Sequence, residues 1–153
     1  MTVIPLFTEQ GDAGRGRRRP ASPNRSVPPP PASTLGLIDQ ARSGLATAAA
    51  AADVAERYAG AHLAALRAAA AVVAARARPD RHRRRQLSVW ALLASLAPEL
   101  REWATFFAAG SRTRAAVQAG VTRLVSARDA DDLVRQAGEF IDLTERLVQD
   151  GRR

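Results

Sequence analysis

An all-α fold, an antiparallel helical bundle of four to five helices, is what this sequence predicts. Three observations carry the prediction. Apolar residues recur in each segment after residue 33 at the spacing that gathers them on one helical face. No stretch alternates with the period of two that a half-buried strand requires. The breaks between periodic segments are mostly short, which makes consecutive helices antiparallel neighbours.

Residues 1–33 stand apart as an Arg/Pro-rich N-terminal tail, and residues 34–150 make up the bundle. Between residues 11 and 33 there are five Arg, six Pro and three Gly but almost no aliphatic side chains. That composition cannot bury enough apolar surface to offset chain entropy, so the tail is expected to be disordered. The opening Met1-Thr-Val-Ile-Pro-Leu-Phe7 is apolar, but it is short for a secretory core, has no basic residue before it and is interrupted by Pro5. No signal peptide is expected. No later apolar run approaches the roughly 20 residues needed to cross a bilayer, so no membrane association is expected either.

The first helix starts at Ser33 or Thr34, either of which can cap it, and places Leu37, Ile38, Ala41, Leu45, Ala48 and Ala52 on one stripe. The second, Asp53 to Ala77, carries Val54, Tyr58, His62, Ala65, Leu66, Ala69, Val72 and Val73 on about a third of its circumference. A separate line of Gly60, Ala64, Ala68, Ala71 and Ala75 has almost no bulk and lets another helix approach closely. Close packing within the bundle is the first expectation, and a subunit contact the second. The third segment starts after Ser88, and its stripe from Val89 to Phe107 keeps its phase across Pro98, which predicts one kinked helix closed by Gly110. Ser111 to Ala119 reads as a short helix stopped by Gly120, and residues 121–125 are either loop or a helical turn. Ser126-Ala-Arg-Asp129 is a capping box. It opens a last helix with Leu133, Ala137, Phe140, Ile141, Thr144, Leu147 and Val148 facing inward.

Composition removes several kinds of chemistry. Cysteine is absent from the 153 residues, which excludes disulfides, thiolate nucleophiles and cysteine-ligated zinc. The glycines form no phosphate cradle. The two histidines, His62 and His82, are separated by 20 residues, and the carboxylates a metal site would need fall on outer helix faces. No cofactor and no metal are expected. All 23 basic residues are Arg, Asn24 is the sole asparagine and alanine fills the helices, the signature of a GC-rich genome; a cytoplasmic bacterial protein is the expected context.

The net charge of +8 is not spread over the bundle. Residues 1–33 hold five Arg against Glu9 and Asp12, residues 76–85 hold six Arg against Asp80, and the remainder holds twelve Arg against twelve acids. The segment Arg76-Ala-Arg-Pro-Asp-Arg-His-Arg-Arg-Arg85 therefore has two readings. In one it is a solvated connection, with Arg76 and Arg78 favoured near a helix C-terminus by about 0.3–1 kcal/mol each. In the other, Arg76, Arg78, Arg81, Arg83, Arg84 and Arg85 form an anion-binding patch for RNA, DNA or an acidic protein, since the guanidinium fork grips phosphate at two points. No aromatic residue is interleaved to stack bases, so sequence-specific recognition is not expected.

The phrase Glu56-Arg-Tyr-Ala-Gly-Ala-His-Leu-Ala-Ala-Leu-Arg, continuing to Arg76, resembles the second helix of HEPN domains, the higher eukaryotes and prokaryotes nucleotide-binding domains. Together with Ser88-Val-Trp-Ala-Leu-Leu and Ala130-Asp-Asp-Leu-Val-Arg-Gln-Ala-Gly-Glu-Phe, it is similar to a small actinobacterial HEPN subfamily over residues 35–148. The resemblance implies an all-helical, frequently dimeric bundle. Its relatives include RNA-cleaving toxins, partners of nucleotidyltransferases, and members without assigned activity. The ribonucleases share an Arg, four to six residues, then a His; here Arg57 to His62 and Arg76 to His82 fit that spacing.

Helical geometry argues against the first pair, because residues five apart diverge by about 140° around the axis. His62 shares its stripe with Val54, Tyr58 and Leu66 and reads as a core histidine with its hydrogen bonds satisfied, while Arg57 on the polar face reads as a partner for Glu56 or Asp53. The second pair crosses Pro79 and lies earlier in the chain than the ribonuclease motif. The leading expectation is a non-enzymatic HEPN-like interaction module, a homodimer that contacts RNA or an acidic protein through residues 76–85. The alternatives are a HEPN ribonuclease of toxin-antitoxin type and an accessory subunit of a nucleotidyltransferase.

Overall fold

The computed structural model describes residues 33–77 and 87–153, so the N-terminal tail expected to be disordered lies, up to residue 32, outside the described residues. Five α-helices and two 3-10 turns, with no strand, account for nearly all of the described chain. Helix α1 spans Thr34–Ala50, capped by the Ser33 hydroxyl, which accepts from the Gly36 amide at 3.0 Å. Helix α2, Val54–Arg76, follows after three residues, with the Asp53 carboxylate accepting from the Ala55 amide. Ser88 caps α3, Val89–Leu96. A 3-10 turn, Pro98–Leu100, leads into α4, Arg101–Gln118, and a second one, Thr122–Leu124, leads to α5, Ala127–Asp150. Both halves of the Ser126/Asp129 capping box are formed, at 2.9 and 3.0 Å.

Helices α1, α2 and α5 pack mutually, and α3 and α4 pack against a further side of α2, so α2 has a neighbour on most of its circumference. Its composition follows from that position. Ala61, His62, Ala64, Ala65, Ala68, Ala69, Ala71 and Val72 are all buried, a wider inner surface than the single stripe predicted. The small-residue line does what was expected of it within the bundle: a Cβ on Gly60 would lie 2.8 Å from the Ala48 Cβ of α1. By length and mean hydropathy α2 would also suffice to cross a bilayer, contrary to the expectation that no such run exists. In this fold it is the central helix. The last stripe is inward as predicted: Leu133, Ala137, Phe140, Ile141, Thr144 and Val148 of α5 are buried, with Leu147 half-buried.

Three expectations about helix ends need correction. Ala52 is exposed, because α1 stops at Ala50 before the stripe reaches it. Pro98 separates two helices rather than kinking one. Ala97, whose α conformation the following proline disfavours, turns out to φ −131° and ψ 76°, and a 3-10 turn intervenes. The turn preserves the phase nonetheless, and Trp90, Leu93, Ala97, Leu100, Ala104 and Phe107 are all buried. Gly110 does not close the helix, since α4 continues to Gln118. The stop is at Gly120, whose φ of 100° suits a residue without a side chain.

Candidate functional site

His62 is reached from two helices. From α2 it projects into the core with no exposed surface, and from α4 the Phe107 carbonyl accepts its Nε2–H at 2.8 Å. The rings of Trp90 and Phe107 meet the imidazole edge-on at centroid distances of 5.8 and 6.0 Å. Burial pushes its pKa below the ordinary histidine value, the Phe107 carbonyl acts in the opposite sense, and the positive charge of Arg114 adds to the depression. At neutral pH the ring is therefore uncharged and protonated on Nε2. Its Nδ1 and the Arg114 Nε are buried without a hydrogen-bond partner among the described residues. The expectation of a fully satisfied histidine thus holds for one ring nitrogen only.

Gly110 explains how α4 comes so near. A Cβ at that position would sit 3.3 Å from both the His62 Cδ2 and the Tyr58 hydroxyl. Tyr58 is half-buried one turn before His62, and burial raises its phenol above the ordinary value. The involvement of Gly110 was invisible in the one-dimensional pattern, where it looked like a stop.

Arg57 faces away from this cluster. Its Nη1 pairs with the Asp131 carboxylate of α5 at 2.8 Å, and its Nε and Nη2 donate to the Ala51 carbonyl at 3.2 and 3.0 Å. The partner is neither Glu56 nor Asp53, as the sequence had suggested. Asp131 lies one turn into α5, and its approach to α2 depends on a helix pairing that local sequence does not encode. The guanidinium satisfies an α1 C-terminal carbonyl that the end of the helix would otherwise leave open. Arg57 and His62 are therefore held apart by two different sets of contacts.

Arg76, the first of the candidate anion-binding residues, ends α2 and is tied to the turn between α3 and α4. Its Nη1 pairs with Glu99 and donates to the Leu96 carbonyl at 3.4 Å. The hydrogen bond from the Glu99 backbone, and after it this pairing with Arg76, hold the Glu99 carboxyl below the ordinary value. Arg76 also borders a groove of about 750 Å³ formed by the ends of α1, α2 and α5, with Leu35, Val72, Leu147 and Arg152 among its other walls. Arg78, Arg81, His82, Arg83, Arg84 and Arg85 lie outside the described residues. Among the described residues no three His, Asp or Glu side chains converge as metal ligands.

An alanine-rich central helix, a buried histidine on it and a capped final helix make the described chain a small all-α bundle. The assignment narrows on comparison with known proteins. The family model described as SAV_6107-like HEPN matches residues 48–145, and the chain belongs to this HEPN family. No curated protein and no solved structure matches it.

Proposed function

We propose that this HEPN domain works by binding rather than by hydrolysis, as a homodimer, and that Arg76 to Arg85 form its contact with RNA. The observation that carries this reading is the state of His62. A general base must reach its substrate's proton, and His62, the sole histidine among the described residues, has no exposed surface and spends its Nε2–H on the Phe107 carbonyl. Arg57 is likewise committed to Asp131 and Ala51. RNA is favoured because six arginines within ten residues suit bidentate phosphate contact without the aromatic groups that base reading needs.

The test is titration of the full chain against a mixed-sequence single-stranded RNA, repeated over a salt series. If four to six phosphates are contacted, log affinity falls by roughly 0.7 per phosphate for each tenfold rise in salt. Replacing Arg81, Arg83, Arg84 and Arg85 with Ser abolishes binding on this reading. Unchanged affinity would remove the segment, and binding of an acidic polypeptide with no binding of RNA would transfer it to an acidic protein partner. Light scattering tests the homodimer. Cleavage of the RNA by the wild-type chain, lost on His82→Ala, would restore the ribonuclease alternative.

A further inference from the structure

We infer that the groove between α4 and the first turns of α5 is a docking site for this chain's own arginine-rich segment, residues 15–25. The groove measures about 350 Å³ and is lined by Tyr58, Phe106, Leu124, Leu133, Asp129 and Asp132 among others, with no Arg or His in its lining. Its apolar walls are uncovered. Phe106 is 41% exposed and Leu124 56%, two of the five large hydrophobic side chains exposed among the described residues.

The charges select the occupant. Asp129 uses its carboxylate in the capping box, which holds its pKa below the ordinary value and keeps it anionic. Asp132 is met only at 3.6 Å, by the exposed Arg135. The groove thus offers two carboxylates beside aromatic walls, the combination that takes proline-rich segments carrying arginine. Residues 15–25 contain five Arg, Pro20 and Pro23 and no acidic residue, and Pro28 to Pro31, too near Ser33 to reach the groove, serve as the spacer. Carboxylates also line the groove between α1 and α2 (Asp39, Glu56) and the one between α2 and the end of α4 (Asp53, Glu56), but neither has an aromatic wall. The groove at the opposite end of the bundle is bordered by Arg76 and Arg152, and the one between α1 and α2 by Arg67.

The chain can reach. Ser33 and Thr34 adjoin Val72 at one end of α2, and Tyr58 marks the groove at the other. Fourteen helical residues separate these two positions, about 21 Å at 1.5 Å per residue. The fourteen residues from Ser33 back to Arg19 span up to about 43 Å in a polyproline conformation. Tethering at that length gives an effective concentration on the order of millimolar, so a weak site is substantially filled.

The absence of cysteine from the sequence makes the test direct. A nitroxide is attached at Ser22→Cys in the full chain, and its broadening of backbone amides is mapped by NMR at low salt. Broadening is expected at Phe106, Thr113, Leu124, Asp132 and Gln136. It should fall several-fold in a Phe106→Ser/Leu124→Ser double variant and, independently, in Asp132→Arg. These changes are at exposed or half-buried positions, and the amide spectrum itself reports whether the bundle stays folded. Broadening confined to the neighbourhood of Ser33, or unaltered by both variants, overturns the proposal. So does broadening of equal strength in isotope-labelled, nitroxide-free chains mixed with unlabelled nitroxide-bearing chains, which would mean that the segment docks on a second copy.

Discussion

Three glycines inside helices give a graded test of the packing. Gly60, Gly110 and Gly138 each lie within a helix, where replacement by Ala gains about 1 kcal/mol from helix propensity alone. What the new methyl meets decides the net effect. At Gly138 it would stand 3.6 Å from the Leu45 Cδ2, an ordinary contact, so Gly138→Ala should stabilise by about 1 kcal/mol. At Gly110 the 3.3 Å approach to His62 and Tyr58 needs a shift of a few tenths of an ångström, and the gain and the crowding should nearly cancel. At Gly60 the methyl would be 2.8 Å from the Ala48 Cβ, which is fixed to the α1 backbone, and relief requires the two helices to separate. Overpacking of that kind costs about 1–3 kcal/mol, leaving Gly60→Ala less stable than wild type by up to about 2 kcal/mol. Urea midpoints at constant m-value read the order directly. Ala48→Gly should recover part of the Gly60→Ala loss, with a coupling above about 0.5 kcal/mol in the double-mutant cycle. A Gly60→Ala midpoint raised as far as that of Gly138→Ala would refute the close α1/α2 crossing.

Other outcomes follow from the buried histidine and the committed arginine. Because the His62 pKa is lowered on folding, the unfolded chain binds the proton first as pH falls. Stability should therefore be complete above about pH 6.5 and decline below it by at most about 1.4 kcal/mol per unit. Asp129 and Glu99, both held below the ordinary carboxylate value, titrate beneath this window. Urea midpoints at pH 7.5, 6.5 and 5.5 should lose most of that slope in His62→Gln, and an identical slope in the variant would assign the effect elsewhere. Arg57→Ala should cost about 1–3 kcal/mol by releasing the Ala51 carbonyl and its own pair, whereas Asp131→Asn should cost less than about 1 kcal/mol because Asp131 is largely exposed. The reverse ranking would make the ion pair, and not the capped carbonyl, the stabilising contact. Phe107→Ala, which removes the ring stacked on Trp90 at 5.2 Å and in contact with Phe140, should cost about 3–5 kcal/mol in thermal or urea unfolding.

The parts of the fold that were legible in the sequence are those set by local periodicity and capping. Ser33, Asp53, Ser88 and Ser126 begin helices because each offers an oxygen to amides of the first turn, a contact spanning two or three residues. The inward stripe of α5 was equally plain, since a clear polar face opposes it. Pro98 and Gly110 were misread for a common reason: each has a local meaning and a tertiary one, and sequence supplies only the former. Pro98 broke a helix whose stripe ran through it without interruption, because a three-residue 3-10 turn happens to conserve the phase. Gly110 looked like a terminator and is instead the place where α4 comes close to α2. The Arg57 partner was beyond reach for the same reason, as Asp131 stands 74 positions away.

His62 is the one polar side chain in the buried part of α2, and its surroundings say what it contributes. Alanines packed on all sides hold helices close but grip them weakly along their length, since a methyl fits a neighbour's groove at more than one height. An imidazole bonded to one particular carbonyl does not. The Phe107 oxygen already belongs to the α4 ladder and also accepts from the Ser111 hydroxyl at 3.3 Å, so losing His62 would not leave it without a partner. The His62 Nδ1, buried without a partner, is a cost that an aliphatic residue would avoid. His62→Leu should therefore stay folded with a urea midpoint near or above that of wild type. What it should lose is the fixed setting of α4 on α2, seen as weakened near-ultraviolet dichroism from Trp90 and Trp103 and faster amide exchange in α4. A variant that unfolds outright would show that the histidine's bond sustains stability, and one with unchanged dichroism and exchange would show that the alanine packing fixes the register unaided.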